Sequence, residues 1–134
     1  MSADEELIRE AFGLLNADSY ERVMPLIADD FEMVTTAAVA SEPGVYRGHE
    51  GVRRWWESFL EAMESVRLEV KDVHTIDDDT ALVEFVIKAR GRTTGIETEQ
   101  RAVGLATARE GKVVGLEFFT DLDRARAAAG LPPG

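Results

Sequence analysis

Between Val66 and Asp121 the chain alternates apolar and polar residues with a period of two, interrupted by three groups of turn residues. A period of two is typical of β-strands that have one buried face. The pattern predicts four consecutive strands at about residues 66–76, 79–90, 96–109 and 112–121. Because short turns join them, we expect these strands to pair as an antiparallel meander.

The first turn, at Asp77 and Asp78, predicts the register of the first hairpin. Pairing Ile76 with Asp79 places Lys71 opposite Glu84, which is a favourable cross-strand pair. The same register places the apolar residues of both strands on one face. On the second strand this inward set is Ala81, Val83, Phe85, Ile87 and Ala89.

The turn at Glu110 and Gly111 predicts the register of the last hairpin, with Arg109 opposite Lys112. This register divides the two strands into an inner and an outer face. We expect the inner face to contain Arg101, Val103, Leu105, Val114, Leu116, Phe118 and Thr120. We expect the outer face to contain Gln100, Ala102, Gly104, Ala106, Val113, Gly115, Glu117 and Phe119.

Helical spacing dominates the first half of the chain. Ser2 followed by Glu5 is a capping-box pattern that begins a first helix. A second, short helix contains Pro25, and a third is predicted at about residues 49–65. A strand at 31–36 and a loop with a short hairpin arm at 37–48 lie between them, and a last helix runs from near Asp121 to Gly130. The order predicts one α+β domain over residues 1–134, in which a curved, mostly antiparallel sheet wraps around helices as a cone-shaped barrel.

Composition excludes several classes of function. Lys and Arg number 15 against 26 Asp and Glu, for a formal net charge of −11, which disfavours binding to nucleic acid or to anionic membranes. The chain has no cysteine and two histidines, so we expect neither a thiolate nor a multi-histidine metal site. It has no glycine-rich phosphate loop, and we expect no nucleotide cofactor. The start of the chain lacks a secretory signal pattern, which predicts a cytoplasmic protein.

Three segments resemble one superfamily. They are the run Tyr46-Arg47-Gly48-His49-Glu50-Gly51-Val52, the hairpin Glu110–Val114 and the closing helix Leu122–Leu131. Together with the order of elements, they resemble the nuclear-transport-factor-2-like superfamily, and within it the SnoaL-like group of polyketide cyclases and relatives of ketosteroid isomerase. The resemblance implies a cystatin-like cone fold, a homodimer and a pocket for a small apolar molecule with a polar or anionic group. It implies no cofactor.

The resemblance does not carry over the steroid isomerase residues. The position of that branch's general base falls on Thr35, and the position of its protonated carboxyl donor falls on Val103. Its tyrosine would come from the first helix, where this chain has Ala11 and Phe12. None of these side chains can transfer a proton at neutral pH, so isomerisation by that mechanism is not expected.

Three residues are candidates for catalysis, each with a structural alternative. The resemblance to cyclases implies an acid/base role for Asp121, but an aspartate at the start of a helix is also a favoured N-cap. His74, two residues after Asp72, is either a general base in the cavity or a hydrogen-bonded histidine at the rim of the core. Arg101 either stabilises an anion in the cavity or extends to solvent and pairs with Glu99.

The predicted pocket wall consists of Met33, Thr35, Trp55, Trp56, Phe59, Val103, Leu116, Phe118 and Thr120. Trp55 and Trp56 lie about 100° apart on a helix, so one of them lines the pocket or an interface unless both sit at the edge of the core. The run Asp77–Asp79 resembles a metal cluster, but a solvated turn is the simpler interpretation.

The small residues of the predicted outer face favour a two-fold dimer through Ala102, Gly104, Ala106, Val113, Gly115 and Phe119. Two functions remain open. The first is a ligand-binding domain that acts as a cofactor-independent isomerase, cyclase or hydratase. The second is a non-catalytic module that binds a ligand or only dimerises.

Overall fold

The computed structural model describes residues 3–14, 20–35 and 44–131. Helix α1 spans Ala3–Gly13, a 3-10 helix spans Tyr20–Leu26, α2 spans Gly48–Ala62 and α3 spans Leu122–Ala128. Ser2 and most of the predicted loop lie outside the described residues. Pro25 lies within the 3-10 helix, where the missing amide hydrogen is tolerated more easily than in a long α-helix. In the described part of the chain, no helix is long and apolar enough to cross a membrane.

Six strands form one sheet. They are β1 (Ile27–Thr35), β2 (Gly44–Arg47), β3 (Met63–Thr75), β4 (Thr80–Gly91), β5 (Glu97–Arg109) and β6 (Lys112–Phe119). Their order is β2-β1-β6-β5-β4-β3, and the sheet is not closed. All pairs are antiparallel except β1 with β6, which is parallel. The predicted α+β class and the meander are confirmed.

Two element boundaries differ from the prediction. Residues 27–30, predicted as the end of the second helix, begin β1, and residues 63–65, predicted as the last turn of the third helix, begin β3. In both places the apolar residues fit the spacing of a helix as well as that of a strand. Pairing with β6 in the first case, and with β4 in the second, makes these residues part of a strand.

The first hairpin contains a β-bulge at Lys71. From Val66 to Val70 the predicted register is confirmed, with Val70 opposite Phe85. Beyond the bulge the register moves by one residue, so Asp72 and not Lys71 lies opposite Glu84. A bulge inserts one unpaired residue and reverses which face the following residues occupy.

The turn after β3 is a solvated Asp turn. Asp77 Oδ1 accepts hydrogen bonds from the amides of Asp79 and Thr80, both at 2.9 Å, and Asp77–Asp79 are exposed. A side-chain carboxylate that accepts from amides two and three residues ahead stabilises such a turn locally. The turn interpretation is confirmed.

The last hairpin contains a second bulge, next to Val114. Arg109 pairs with Lys112 as predicted, but past the bulge Ala106 lies opposite Leu116 and Gly104 opposite Phe118. The predicted register of β5 against β6 is therefore wrong by one residue. As a result, the face assigned to Arg101, Val103 and Leu105 is reversed.

A tight turn leads from β2 into α2. Gly48 has a φ of +65°, a region that favours glycine, and a Cβ on Gly51 would lie 2.8 Å from the carbonyl carbon of Tyr46. His49 Nε2 donates a hydrogen bond of 2.8 Å to the carbonyl of Ile27. The two glycines permit the close approach, and the histidine attaches the start of α2 to β1.

The apolar residues form two clusters on opposite faces of the sheet. The larger lies on the inner face, between the sheet and helices α1 and α2, and includes the predicted inward set of β4. The smaller lies on the outer face under α3 and centres on Leu82, Val103 and Ala125. Leu131 packs on this smaller cluster and its amide bonds to the carbonyl of Arg126, closing the C-terminus of α3.

Candidate functional site

An apolar cavity lies on the inner face, between α1, the 3-10 helix and the strands β1, β5 and β6. Helix α1 contributes one wall, since the stripe of apolar residues on its buried side faces the sheet. Strand β1 and the small side chain of Ala106 on β5 form the opposite wall. The complete lining is Ile8, Ala11, Phe12, Val23, Ile27, Phe31, Met33, Val52, Ala106, Val113 and Leu116.

The size and lining of this cavity restrict its chemistry. The free volume is about 20 Å³, where a single water needs about 10–15 Å³. None of the lining side chains is titratable or carries a hydrogen-bonding group stronger than the thioether of Met33. Such a lining can bind apolar groups by excluding water, but it cannot itself transfer a proton.

An aromatic cluster adjoins the cavity through Phe12. The Phe12 and Phe85 rings meet edge to face at 5.1 Å, and Phe85 lies 5.6 Å from Phe118. Trp55 stacks on Phe118 at 5.5 Å with an interplanar angle of 23°, and Trp56 lies 5.5 Å from Trp55. This cluster makes the end of the core next to the cavity aromatic and apolar.

Both tryptophans are fully buried in the inner core, with exposures of 1% and 0%. Neither of them lines the cavity, so of the two alternatives the structure supports the one in which both tryptophans belong to the core. Adjacent residues on a helix point about 100° apart, so burying both requires neighbours on more than one side. Helix α2 has them, because it contacts β1, β2 and β3.

The other predicted wall residues separate into several environments. Met33 and Leu116 line the cavity. Thr35 is buried, but its hydroxyl accepts from the amide of Gly44 at 3.2 Å and so joins β1 to β2. Thr120 is exposed, so its predicted place in the pocket is wrong. The side chain of Phe59 lies outside the described residues.

Val103 lies on the outer face. It belongs to the small cluster under α3 and does not line the cavity, so its predicted place in the pocket is wrong. The bulge next to Val114 is the physical cause. Both faces of β5 carry apolar residues because both are covered, and hydrophobicity alone could not distinguish them.

None of the three candidate catalytic residues faces the cavity. His74 is half exposed on the outer face, because the bulge at Lys71 reverses its direction. Arg101 is exposed on the same face, opposite Val86. The expected placement of both on the inner side is wrong, and their catalytic roles lack the enclosed setting that those roles required.

Asp121 is the N-cap of α3. Its side chain accepts a hydrogen bond of 2.8 Å from the amide of Arg124, and its second oxygen lies 3.4 Å from the guanidinium of Arg124. Of the two alternatives, an N-cap or an acid/base residue, the geometry supports the N-cap. Because Asp121 is exposed and bonded to its own helix, an acid/base role has no geometric support.

The residues predicted to form an outer dimer surface divide between the two faces. Ala102, Ala106 and Val113 are buried in the inner core. Gly104 also faces inward, since a Cβ there would lie 3.1 Å from Leu116 and 3.5 Å from Phe12. Gly115 and Phe119 lie on the outer face as predicted. The predicted surface is therefore wrong for its four inward residues, and the small ones among them instead make room for α1. Dimerisation itself stays a prediction.

The outer face contains charge networks. Hydrogen bonds and attraction from the ammonium groups of Lys71 and Lys88 hold the pKa of Glu69 at about 2, below its ordinary value. Their distances to Glu69 are 2.7 and 3.1 Å. At the far end of β4, Arg90 hydrogen-bonds Glu97 and lowers the pKa of that carboxyl. These groups are exposed, so each pair contributes little to stability.

A third group on this face combines a histidine with two carboxylates. His74 Nε2 lies 2.6 Å from Glu84 Oε2 and 3.5 Å from Asp72 Oδ2. The sequence reasoning considered His74 together with Asp72 but missed Glu84. Only the shifted register brings Glu84 opposite Asp72.

Residues 8–116 match the family model of the SnoaL-like domain. The chain belongs to this family. A search of curated protein sequences finds no match to the chain. The predicted resemblance to the SnoaL-like group is confirmed.

Solved structures with the same fold cover nearly the whole chain. TerC co-crystallised with polyporic acid matches with a TM-score of 0.77 at 19% identity, over 97% of this chain and 98% of that one. A Catenulispora acidiphila protein with a ketosteroid isomerase-like fold, in complex with trimethylamine, has a TM-score of 0.74 at 16% identity, over 96% and 95%. A Mycobacterium tuberculosis protein in complex with estradiol-17β-hemisuccinate has a TM-score of 0.72 at 15% identity, over 92% and 97%. At these identities the likeness shows the fold.

Proposed function

We propose that this SnoaL-like protein binds a small apolar molecule in the inner cavity and does so without catalysis. The observation that carries the proposal is the wholly apolar lining between α1 and the sheet. Three structures of this fold contain small molecules, which supports a ligand-binding role. Transfer of an apolar ligand into the cavity is favourable by about 25 cal/mol for each Å² removed from water.

The free volume requires that any ligand larger than a few atoms displace part of the wall. Ile8, Ala11 and Phe12 on α1 form the wall best able to move. They are held by side-chain packing, whereas the walls on β1, β5 and β6 are also held by the sheet's hydrogen bonds. We therefore expect ligand entry to involve an outward movement of α1.

An isomerase, cyclase or hydratase would need an acid or base at the ligand. Among the described residues, no titratable side chain lines the cavity, and His74, Arg101 and Asp121 lie elsewhere. This distribution favours binding over acid/base chemistry. A cytoplasmic location stays a prediction from the sequence.

The test is a thermal-shift screen of the purified protein with terpenoid, polyketide-like and steroid-like compounds. A compound that binds only the native state raises Tm by mass action. In Ala106→Val the added methyl groups fill the cavity, so the ligand-dependent rise in Tm should disappear. The matched control is Thr107→Val, which introduces the same side chain at the next residue, facing outward.

Two results would contradict the proposal. One is the absence of any shift across the compound set in the wild type. The other is a shift that persists in Ala106→Val at the size seen in Thr107→Val, because binding would then occur outside the cavity. Conversion of a bound compound to a product, detected by mass spectrometry, would contradict only the proposal that binding occurs without catalysis.

A further inference from the structure

A second candidate site lies on the outer face of the sheet, close to the β3–β4 turn and separate from the cavity. Asp72 and His74 are two residues apart on β3, and Glu84 is on β4. One ligand atom from each side chain lies within 4.8 Å of the other two. The set contains one imidazole and two carboxylates, which are common ligands of divalent transition metals.

The bulge at Lys71 creates this arrangement. It places Asp72 directly opposite Glu84, so two negative side chains face each other across the strand pair. Like charges in that position repel and destabilise the hairpin unless a cation lies between them. The bulge therefore forms a site that favours a positive charge.

The nearest lysines are already engaged elsewhere. Lys71 and Lys88 both bind Glu69, at 2.7 and 3.1 Å. Of the described histidine, lysine and arginine side chains, only His74 lies within 4.0 Å of Asp72 or Glu84. A neutral imidazole leaves the two carboxylate charges uncompensated, and a bound dication would compensate both.

Two features hold the side chains in place. Asp72 Oδ1 accepts a hydrogen bond of 2.9 Å from the amide of Val73, which leaves Oδ2 to face His74. The neighbouring positions on the same face are apolar and buried, with Leu82 opposite His74 and Val103 opposite Glu84. Apolar neighbours lower the local dielectric constant and strengthen the charge interactions beside them.

We propose that Asp72, His74 and Glu84 bind one divalent transition-metal ion of the zinc class on the outer face. Bonds of about 2.1 Å in a tetrahedral geometry separate ligand atoms by about 3.4 Å. The separation between His74 and Asp72 is already 3.5 Å, and that between His74 and Glu84 must open from 2.6 Å. All three side chains are partly exposed and can make that adjustment, and a water completes the coordination.

The metal cross-links two neighbouring strands and lies on the opposite face from the cavity. The site is therefore separate from the cavity, and its role does not depend on the proposed ligand. The expectation of no multi-histidine metal site does not bear on this site, because it contains one histidine.

The experiment is a calorimetric titration of the full chain with ZnCl₂ at neutral pH and physiological salt, after treatment with EDTA and its removal. We expect one bound zinc per chain. His74→Ala and Glu84→Gln should each weaken binding by at least about tenfold, the loss that even an outer-shell partner can cause. Matched controls are His49→Gln, which removes the other histidine, and Asp78→Asn, which removes a nearby exposed charge. Both should bind as the wild type does.

Circular dichroism of each variant without metal separates loss of a ligand from loss of the fold. Absence of saturable binding to the wild type would overturn the proposal and leave an ion triad centred on His74. Equal weakening in the control variants would also overturn it, because the zinc would then be collected by the acidic surface as a whole. Binding of several zinc ions per chain would overturn the proposal for the same reason.

Discussion

The inner face of the sheet presents its side chains to α1 and α2, whereas the outer face presents them to solvent and to α3. The inner face has enclosed space and no titratable group on the described cavity wall. The outer face has titratable groups, among them Glu69, His74 and Glu84, and all three are partly exposed to solvent. The comparison shows that the cavity and the titratable groups lie on opposite faces of the sheet. Acid/base catalysis in a pocket requires a titratable group at the pocket wall.

The largest effect on stability is expected from a comparison of Phe118 with Phe119, neighbours on β6 that point to the inner and the outer face. Phe118 is 2% exposed in the aromatic cluster, and Phe119 is half-buried against the cluster under α3. We expect Phe118→Ala to lower the free energy of unfolding by about 3–5 kcal/mol. Phe119→Ala should cost about 1–2 kcal/mol, because less area is lost. Urea unfolding measures the free energy of unfolding of both variants. Equal losses would show that the two faces contribute equally to stability.

An effect of intermediate size is expected at the cap of α3. Asp121→Ala removes the acceptor for the amide of Arg124 and should lower stability by about 1 kcal/mol. Asp121→Asn should restore most of it, since asparagine is an equally good cap. Thermal unfolding of both variants measures the two losses of stability. A loss as large in the asparagine variant would mean that the carboxylate charge, and not the cap, is what matters.

The smallest effect concerns the pH dependence of Glu69. Its pKa is lowered to about 2 in the folded state, so its ion pairs add stability at pH values above the ordinary value near 4.5. That contribution is lost as pH falls from about 4.5 through about 2. In Glu69→Gln, Tm should therefore fall less steeply over this range. The effect should shrink at high salt, because the groups are exposed.

The control for this measurement is Glu110→Gln, which removes one carboxylate from the exposed β5–β6 turn. If both variants flatten the Tm profile equally, the pH dependence reflects net charge and not the contacts of Glu69 with Lys71 and Lys88.

The sequence predicted the strands and the fold family well, because both depend on patterns that survive local irregularity. Period-two alternation defined the strands of the meander, and the run from Tyr46 to Val52 contained the glycines that the turn into α2 requires. The inward set of β4 was correct because no bulge shifts β4 against β5.

Side-chain direction could not be predicted in the same way. One extra residue at Lys71 moved His74 to the outer face, and another next to Val114 reversed the faces of β5. A bulge leaves the alternation almost unchanged when both faces are covered, as at Val103 under α3 and Ala106 under α1. The small residues Ala102, Gly104 and Ala106 were a usable signal, since close approach of a helix requires them.

The parallel pairing of β1 with β6 also determines when the sheet can be completed. Ile27 pairs with Val113 and Met33 with Leu116, so these contacts within the sheet join distant parts of the chain. Strands β3 to β6 pair with their sequence neighbours through short turns and can form early. On the ribosome, β1 has no strand to pair with on that edge until Lys112 and the residues after it emerge. We therefore expect β1 and β2 to reach their native pairing only after β6 has been synthesised, later than the hairpins of the meander.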